Sequence, residues 1–406
     1  MKATQPNPPT PGQFALRSVA FEAFGPTIVN SIGHGAVLPV LALHAGDLGA
    51  GVELAALIVA LLGVGQLVTS LPAGALVARI GERRMLVGCG LVDVVAMLIA
   101  WQAPSTTLLA LAVLLSGATW TGFMLARQGF LIEAVPPTHR ARAMSTLGAS
   151  HRVGLFIGPL IGAGVIHLWG IPAVFVLAAA TSLIAAVMAS MMRDLGHESR
   201  QEQRAEGHAS VRKVLLAHRR TLLTLGVAVI VIGASRSVRG TLLPLWSDHI
   251  GLNGTETSLI FAVAAAVDIV FFVPGGWLMD KRGRAIVAVP VVLAVAIGAI
   301  LLPLATNELA VLGVAVLIAA GNGLGSGIVM TIGADTAPVL GRSQFLGGWR
   351  LCGDIGNTGG PLVISAVAAF APLAAASVTF GVLALVGAAW VGFWTRRLDA
   401  DRASSG

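Results

Sequence analysis

Twelve long apolar segments divide this chain, at about residues 19–43, 53–78, 85–103, 107–134, 141–168, 170–192, 221–247, 255–279, 285–304, 309–335, 343–371 and 373–395. Crossing about 30 Å of hydrocarbon at about 1.5 Å per residue takes about 20 apolar residues. The runs have that length. They are too long for barrel strands and lack the ~10-residue alternation of that architecture. Backbone polar groups in lipid must be satisfied within the segment, which leaves helices. Composition agrees. The chain is 56% hydrophobic and 11% charged, against about 45–50% and about 25% in soluble domains. The expected fold class is therefore all-α and integral to a membrane, with twelve transmembrane helices.

Charge placement sets the orientation. Of 26 Lys and Arg residues, 21 lie in the termini and the even-to-odd loops, among them Arg79, Arg83, Arg84, Arg140, Arg142 and Arg342. The other five, Arg127, Arg152, Arg236, Arg239 and Arg350, fall within segments, and the opposite loops hold none. The positive-inside rule places both termini in the cytoplasm. The formal charge of +7 is thereby a topological signal and not a nucleic-acid patch. Cys89 and Cys352 are isolated in apolar runs and make no disulfide framework or metal site. The polar, proline-rich start lacks the layout of a cleaved signal, so the first apolar run is expected to remain as a helix.

The one long polar stretch, residues 193–220, splits the segments six to six. It reads as a cytoplasmic linker between an N-terminal bundle (1–192) and a C-terminal bundle (221–406), with "SVRKVLLAHRR" as a short amphipathic helix on the inner membrane face. The halves repeat. At an offset of 202, Pro72 meets Pro274, Gly81 meets Gly283, Glu133 meets Asp335, Gly154 meets Gly356, Gly158 meets Gly360 and Pro159 meets Pro361. Near the first segment the offset is 205, with Gly35 on Gly240 and Pro39 on Pro244. The chain thus reads as two similar six-helix halves.

The stretch "GGWLMDKRGRA" at 275–285 packs four charges into five residues between two apolar runs. Gly276 permits close helix approach and Gly283 a tight turn. This pattern resembles the cytoplasmic-loop signature of the major facilitator superfamily, between helices 8 and 9, with its copy between helices 2 and 3. The resemblance implies two pseudo-symmetric six-helix bundles. It implies too that Asp280 docks at the start of helix 5, near Ala141, and latches the inner gate together with Arg284. The first copy departs from the pattern, with Ala78 where the acid should stand and Glu82 where a base is usual, so the sister latch is weak or rewired. "GLFIGPLIGA" at 154–163 resembles the family's antiporter-associated helix 5 sequence. Gly154, Gly158 and Gly162 form a smooth stripe, and Pro159 bends the helix and frees a carbonyl. Plain helix packing explains the stripe equally, and the echo "GNTGGPL" on helix 11 strengthens that explanation. Arg127 resembles, with imperfect spacing, a helix 4 arginine linked in the family to proton coupling.

Charges inside lipid cost about 2.5–3.5 kcal/mol each on insertion scales, and those kept face a cavity or a partner. Arg152 and Asp268 each lie about 11 residues, or about 16 Å, from the inner ends of helices 5 and 8. They are expected to pair across the two halves, either as a static packing pair or as a switch that protonation of Asp268 would loosen. Asp354 is expected near Gln66, with Arg350 one turn away as its partner. For Asp93, pairing with a loop arginine and proton carriage both stand. His34, Arg236 and Arg239 lie deep in helices that line the central cavity if the resemblance holds, with Asn322 on helix 10. Guanidinium forks suit carboxylate or phosphate, unless these arginines merely satisfy aspartates and helix ends. Trp101, Trp169, Trp246, Trp277 and Trp394 fall at segment ends as belt residues. Trp120 and Trp349 are expected in packing or in the cavity wall.

The reading that follows is a secondary transporter with no catalytic residues and no cofactor. It would export a small anionic or zwitterionic organic molecule against protons, in a bacterial-type inner membrane. Substrate would meet His34, Arg236, Arg239 and Asn322. Coupling would use Arg127, Arg152, Asp268 and Asp354, and gating would use Asp280, Arg284, Gly154, Gly158 and Pro159. The alternative is proton symport of an organic anion. The expected partners are substrate, protons and lipid, without nucleic acid, and the expected state is a monomer. No G-x-x-x-x-G-K-[ST] loop for nucleotide-driven pumping is present.

Overall fold

The computed structural model describes residues 20–135, 139–192, 211–338 and 342–405. The segments appear as α1 (Ala20–Val37, continued after a break as Leu41–Asp47), α2 (Val52–Ile80), α3 (Glu82–Trp101), α4 (Thr106–Ala134), α5 (Arg140–Trp169) and α6 (Ala173–Ser190). They are followed by α7 (Val227–His249), α8 (Gly254–Arg282), α9 (Ala285–Leu301), α10 (Glu308–Leu324, continued as Ile328–Thr336), α11 (Arg342–Ala368) and α12 (Leu373–Ser405). Among the described residues no strand occurs. Ten helices are long and apolar enough to cross a membrane, and eleven if the two pieces of α1, bent by 43°, make one span. The remaining helix, α11, carries Arg350, Asp354 and Asn357 and is too polar to qualify by composition alone.

Local chemistry sets the ends. On the side away from the termini, Ser105 and Asn307 cap α4 and α10, and Asn253 makes a full capping box with Glu256 at the start of α8. These side chains satisfy amide groups that a helix start leaves open. On the termini side, Gly81 and Gly283 turn the chain with φ of 92° and 93°, a conformation that L side chains avoid. The repeat is thus visible in backbone angles as well as in sequence. Linker residues 193–210 lie outside the described residues. Past them, a short helix Val211–Ala217 sets Leu215 against Gly348 of α11, while Leu216 is exposed.

The two halves pack by the same plan. α1 lies on α5 and α6, α2 on α4, and α3 on α4 and α6; correspondingly α7 lies on α11 and α12, α8 on α10, and α9 on α10 and α12. Between halves, α5 meets α8 and α2 meets α11. The glycine stripe explains the closeness of α1 and α5. A Cβ at Gly154 would meet Ile28 O at 2.7 Å, and one at Gly162 would meet Ala36 Cβ at 3.2 Å. Gly356 and Gly360 receive α7 in the same way. The stripe, with Pro159 inside α5, is therefore built into both halves as packing.

Several expectations change. Trp246 is buried and donates its indole N–H to Ala305 O at 2.8 Å, so it is no belt residue. Trp101, Trp169 and Trp277 are exposed. Trp349 is buried, donating to Val329 O. Arg284 does not reach the other half. Its Nε donates to Asp335 Oδ2 of α10 at 2.8 Å and its Nη1 to Met279 O at 3.0 Å. The amides of Arg284 and Ala285 donate to the Asp399 carboxylate of α12 at 2.9 and 3.0 Å. A carboxylate at the open start of α9 is favourable, so this knot ties one bundle together. The side chains of Asp280, Ala78 and Ala141 lie outside the described ones.

Candidate functional site: a charged cavity between the halves

A cavity of about 330 Å³ sits between the halves. Its wall is made by α1 to α7 and α11. On the side away from the termini the halves touch where Leu38 approaches Gly240 and where Ser365 Oγ donates to Glu53 O at 2.8 Å. On the termini side Arg350 Nη1 of α11 donates to Gln128 Oε1 of α4 at 3.3 Å.

The cavity wall brings His34, Arg236 and Arg239 together, as expected, and adds Trp120, His151 and Asp93. The Trp120 ring lies between two imidazoles, with centroids 4.3 Å from His34 and 5.1 Å from His151. His151 Nδ1 is 2.9 Å from Ser31 Oγ. Asn322 is not in the wall. It is buried in α10, which contributes nothing to this cavity, and its Oδ1 has no hydrogen-bond partner. α3 and α6, not expected in the wall, contribute Asp93, Met97, Phe175 and Ala178 to it.

Arg152 and Asp268 meet across the halves, with Nη1 2.6 Å from Oδ1. The Arg152 guanidinium also covers the Phe272 ring at 4.9 Å. Arg239 Nη1 approaches the other oxygen of Asp268 at 4.0 Å. One carboxylate thus stands between two guanidinium groups, one from each half. Around the cavity three arginines (152, 236 and 239) face two aspartates (93 and 268), so the surroundings are net positive.

Asp93 is the residue whose place sequence reasoning missed. It meets no loop arginine within ion-pair distance among the described residues. Instead Ser116 of α4 donates to its Oδ1 at 2.7 Å and Ser182 of α6 donates to its Oδ2 at 2.7 Å, while Thr119 Oγ1 of α4 stands 3.1 Å from Oδ1 and 2.8 Å from Ser116 O, the nearer acceptor for its one proton. The available signal was a lone acid in α3 with Ser and Thr in α4 and α6 at similar depth.

Two coupling candidates stand elsewhere. Among the described residues, no hydrogen bond or ion pair joins Asp354 to Gln66 or to Arg350; Arg350 extends to Gln128, although its charge still acts on Asp354. Arg127 is fully buried and turned away from the cavity. Its Nε donates to Thr27 Oγ1 at 3.2 Å, and its Nη1 donates to Glu22 O at 2.9 Å and faces Met192 Sδ at 3.3 Å. It fastens α1 and the end of α6 onto α4. Arg127→Lys is expected to lower thermal stability by about 1–3 kcal/mol, because an ammonium cannot reproduce the fork. A melt of the purified protein reads this, and an unchanged melting temperature would count against the fastening role.

The comparisons agree with this architecture. The profile of the Major Facilitator Superfamily matches residues 24–361 and 225–405. Multidrug resistance protein MdtG of Erwinia billingiae is 30% identical over 168 residues, 40% of this chain and 41% of that protein. Multidrug resistance protein 2 of Bacillus subtilis is 24% identical over 262 residues, 63% of this chain and 65% of that one. The aligned part thus spans less than two thirds of either relative. Among solved structures, a bacterial homologue of the human lysosomal transporter Spinster, inward-facing and unoccupied, superposes with a TM-score of 0.74 at 17% identity, covering 96% of this chain and 99% of that one. The human organic anion transporter MFSD10 gives a TM-score of 0.66 at 15% identity, over 93% of this chain and 100% of that one. Two repeated bundles around one charged cavity, matched along nearly the whole sequence, make this multi-pass membrane protein a member of the major facilitator superfamily.

Proposed function

We propose that this transporter exports a small anionic or zwitterionic organic molecule in exchange for protons. The observation that carries the reading is the cavity itself. Its volume lies within the small-molecule range. Arg236, Arg239 and two histidines offer donors to an anionic group, and Trp120 offers an aromatic face. The halves would rock about this space, as repeat-built transporters do. Arg152–Asp268 spans the seam that must change, so a proton on Asp268 would release Arg152 and loosen the contact. Charge bias supports a cytoplasmic location for both termini and residues 193–220, in a protein we assign to a bacterial-type inner membrane. Export is supported by the multidrug resistance names of the two relatives above.

A second reading, proton symport of an organic anion, draws on the net positive surroundings of the cavity. Flux in proteoliposomes under an imposed pH gradient separates the two. Loss of a labelled substrate from the lumen against inward protons means exchange, and accumulation means symport. A thermal-shift screen of anions, zwitterions and cations supplies the substrate, and stabilisation by cations alone would refute the anionic class.

A further inference from the structure

Asp93 occupies a built site that neither reading uses. The residue is 4% exposed. Two hydroxyls from two helices donate to it and a third stands within reach, as described above. An ionised carboxylate offers about four lone-pair directions. A further one, on Oδ2, is faced by His34 of α1, whose Nε2 is 3.7 Å away and has no hydrogen-bond partner of its own. That separation exceeds a hydrogen bond, and a small tilt of the ring would close it. A buried carboxylate without a counter-charge is costly. Among the described residues, His34 is the one basic group within ion-pair distance of it. Both residues border the cavity, and 19% of the His34 side chain is exposed, although Nε2 itself is covered.

We propose that His34 and Asp93 form a proton-binding site in the first half, separate from Arg152–Asp268. The neutral His34 ring takes one proton from cavity water as it tilts, and the imidazolium turns its Nε2–H to Asp93 Oδ2. Release returns the proton to water, and no heavy-atom bond changes. The other ionisable groups around the pair are Cys89 on α3, His151 and Arg152 on α5, and Arg236 and Arg239 on α7; α4 and α6 face it with hydroxyls. The α5 and α7 guanidiniums oppose a charge on His34. An anion in the cavity offsets them, so proton and anion would favour each other's binding. That last step rests on the anionic-substrate reading; the proton site does not.

Trp120 is the reporter, since an imidazolium quenches an adjacent indole and the His34 ring lies 4.3 Å away. The full-length protein in detergent is titrated from about pH 5 to about pH 9, the range in which histidine changes charge. The expected result is a one-proton change in tryptophan emission that disappears in Trp120→Phe and in His34→Gln and persists in His151→Gln. In Asp93→Asn the midpoint should move about 1–3 pH units towards acid, the effect of losing an opposite charge at this range. Ser182→Ala keeps the carboxylate but removes one of its donors, and its midpoint should move the other way. It serves as the deciding variant if Asp93→Asn does not yield a monodisperse protein. A titration that survives His34→Gln, or a midpoint indifferent to Asp93→Asn or, in its place, to Ser182→Ala, overturns the proposal, as does the absence of any Trp120-dependent change. No gradient or substrate is involved, so this outcome is independent of the transport assays above.

Discussion

Asp268→Ala is expected to destabilise the purified protein by about 3–5 kcal/mol, the usual cost of stripping one partner from a buried ion pair. Both side chains of the Arg152–Asp268 pair are about 15% exposed, so solvent screens them little. Removing the acid leaves Arg152 and Arg239 facing each other's surroundings with no anion between them. Arg152→Ala should cost less. Arg239 Nη1 already stands 4.0 Å from Asp268 and can take over the carboxylate. Thermal melts of the two variants test this order. Equal losses, or losses under about 1 kcal/mol in both, would reduce the pair to an ordinary solvated contact. Asp268→Asn keeps the shape and removes only the charge. It is expected to abolish pH-driven flux in proteoliposomes while the protein still folds.

Gly158→Leu is expected to prevent recovery of folded protein. A Cβ there would meet Ile32 O, with Ala36 N at 2.8 Å and Gly35 C at 2.9 Å. These are backbone atoms of α1, which cannot rotate aside as a side chain would. Overpacking of a core commonly costs about 1–3 kcal/mol, and contact with backbone puts this case at or beyond the upper end. Gly164→Leu, on the same helix with nothing within 4 Å of its Cβ, is the control and should be tolerated. Size-exclusion profiles after solubilisation distinguish the two. A monodisperse Gly158→Leu protein would mean that α1 and α5 are free to part.

Depth was legible in the sequence, and facing was not. Rise per residue placed Arg152 and Asp268 at one level, and the repeat supplied the helix pairing that brings them together. Rotation about each helix axis had no comparable signal. Amphipathic periodicity marks the buried face of a helix in water, but lipid is as apolar as a packed interior. Nothing along the chain therefore said that Asn322 turns from the cavity, that Arg127 points at α1, or that Arg239 shares Asp268 with Arg152. The shell of Asp93 was hidden for the same reason, because Ser116, Thr119 and Ser182 come from two other helices and converge only once those helices are turned. Arg284 failed differently. It was expected to help latch the inner gate, whereas its side chain meets Asp335 of α10 and its amide meets Asp399, far along the chain on a terminal helix that reads as plain tail.

The cavity is lopsided. Of its 23 bordering residues, 17 belong to α1–α6, and 6 to α7 and α11. In a rocking cycle a bound molecule would therefore ride with the first bundle as its passenger. The second bundle would act as a removable wall in the proposed cycle, and what it would withdraw is the pair Arg236 and Arg239. Opening would then strip positive charge from an anionic cargo at the moment a path to solvent appears, so that the same motion unlocks the exit and loosens the grip.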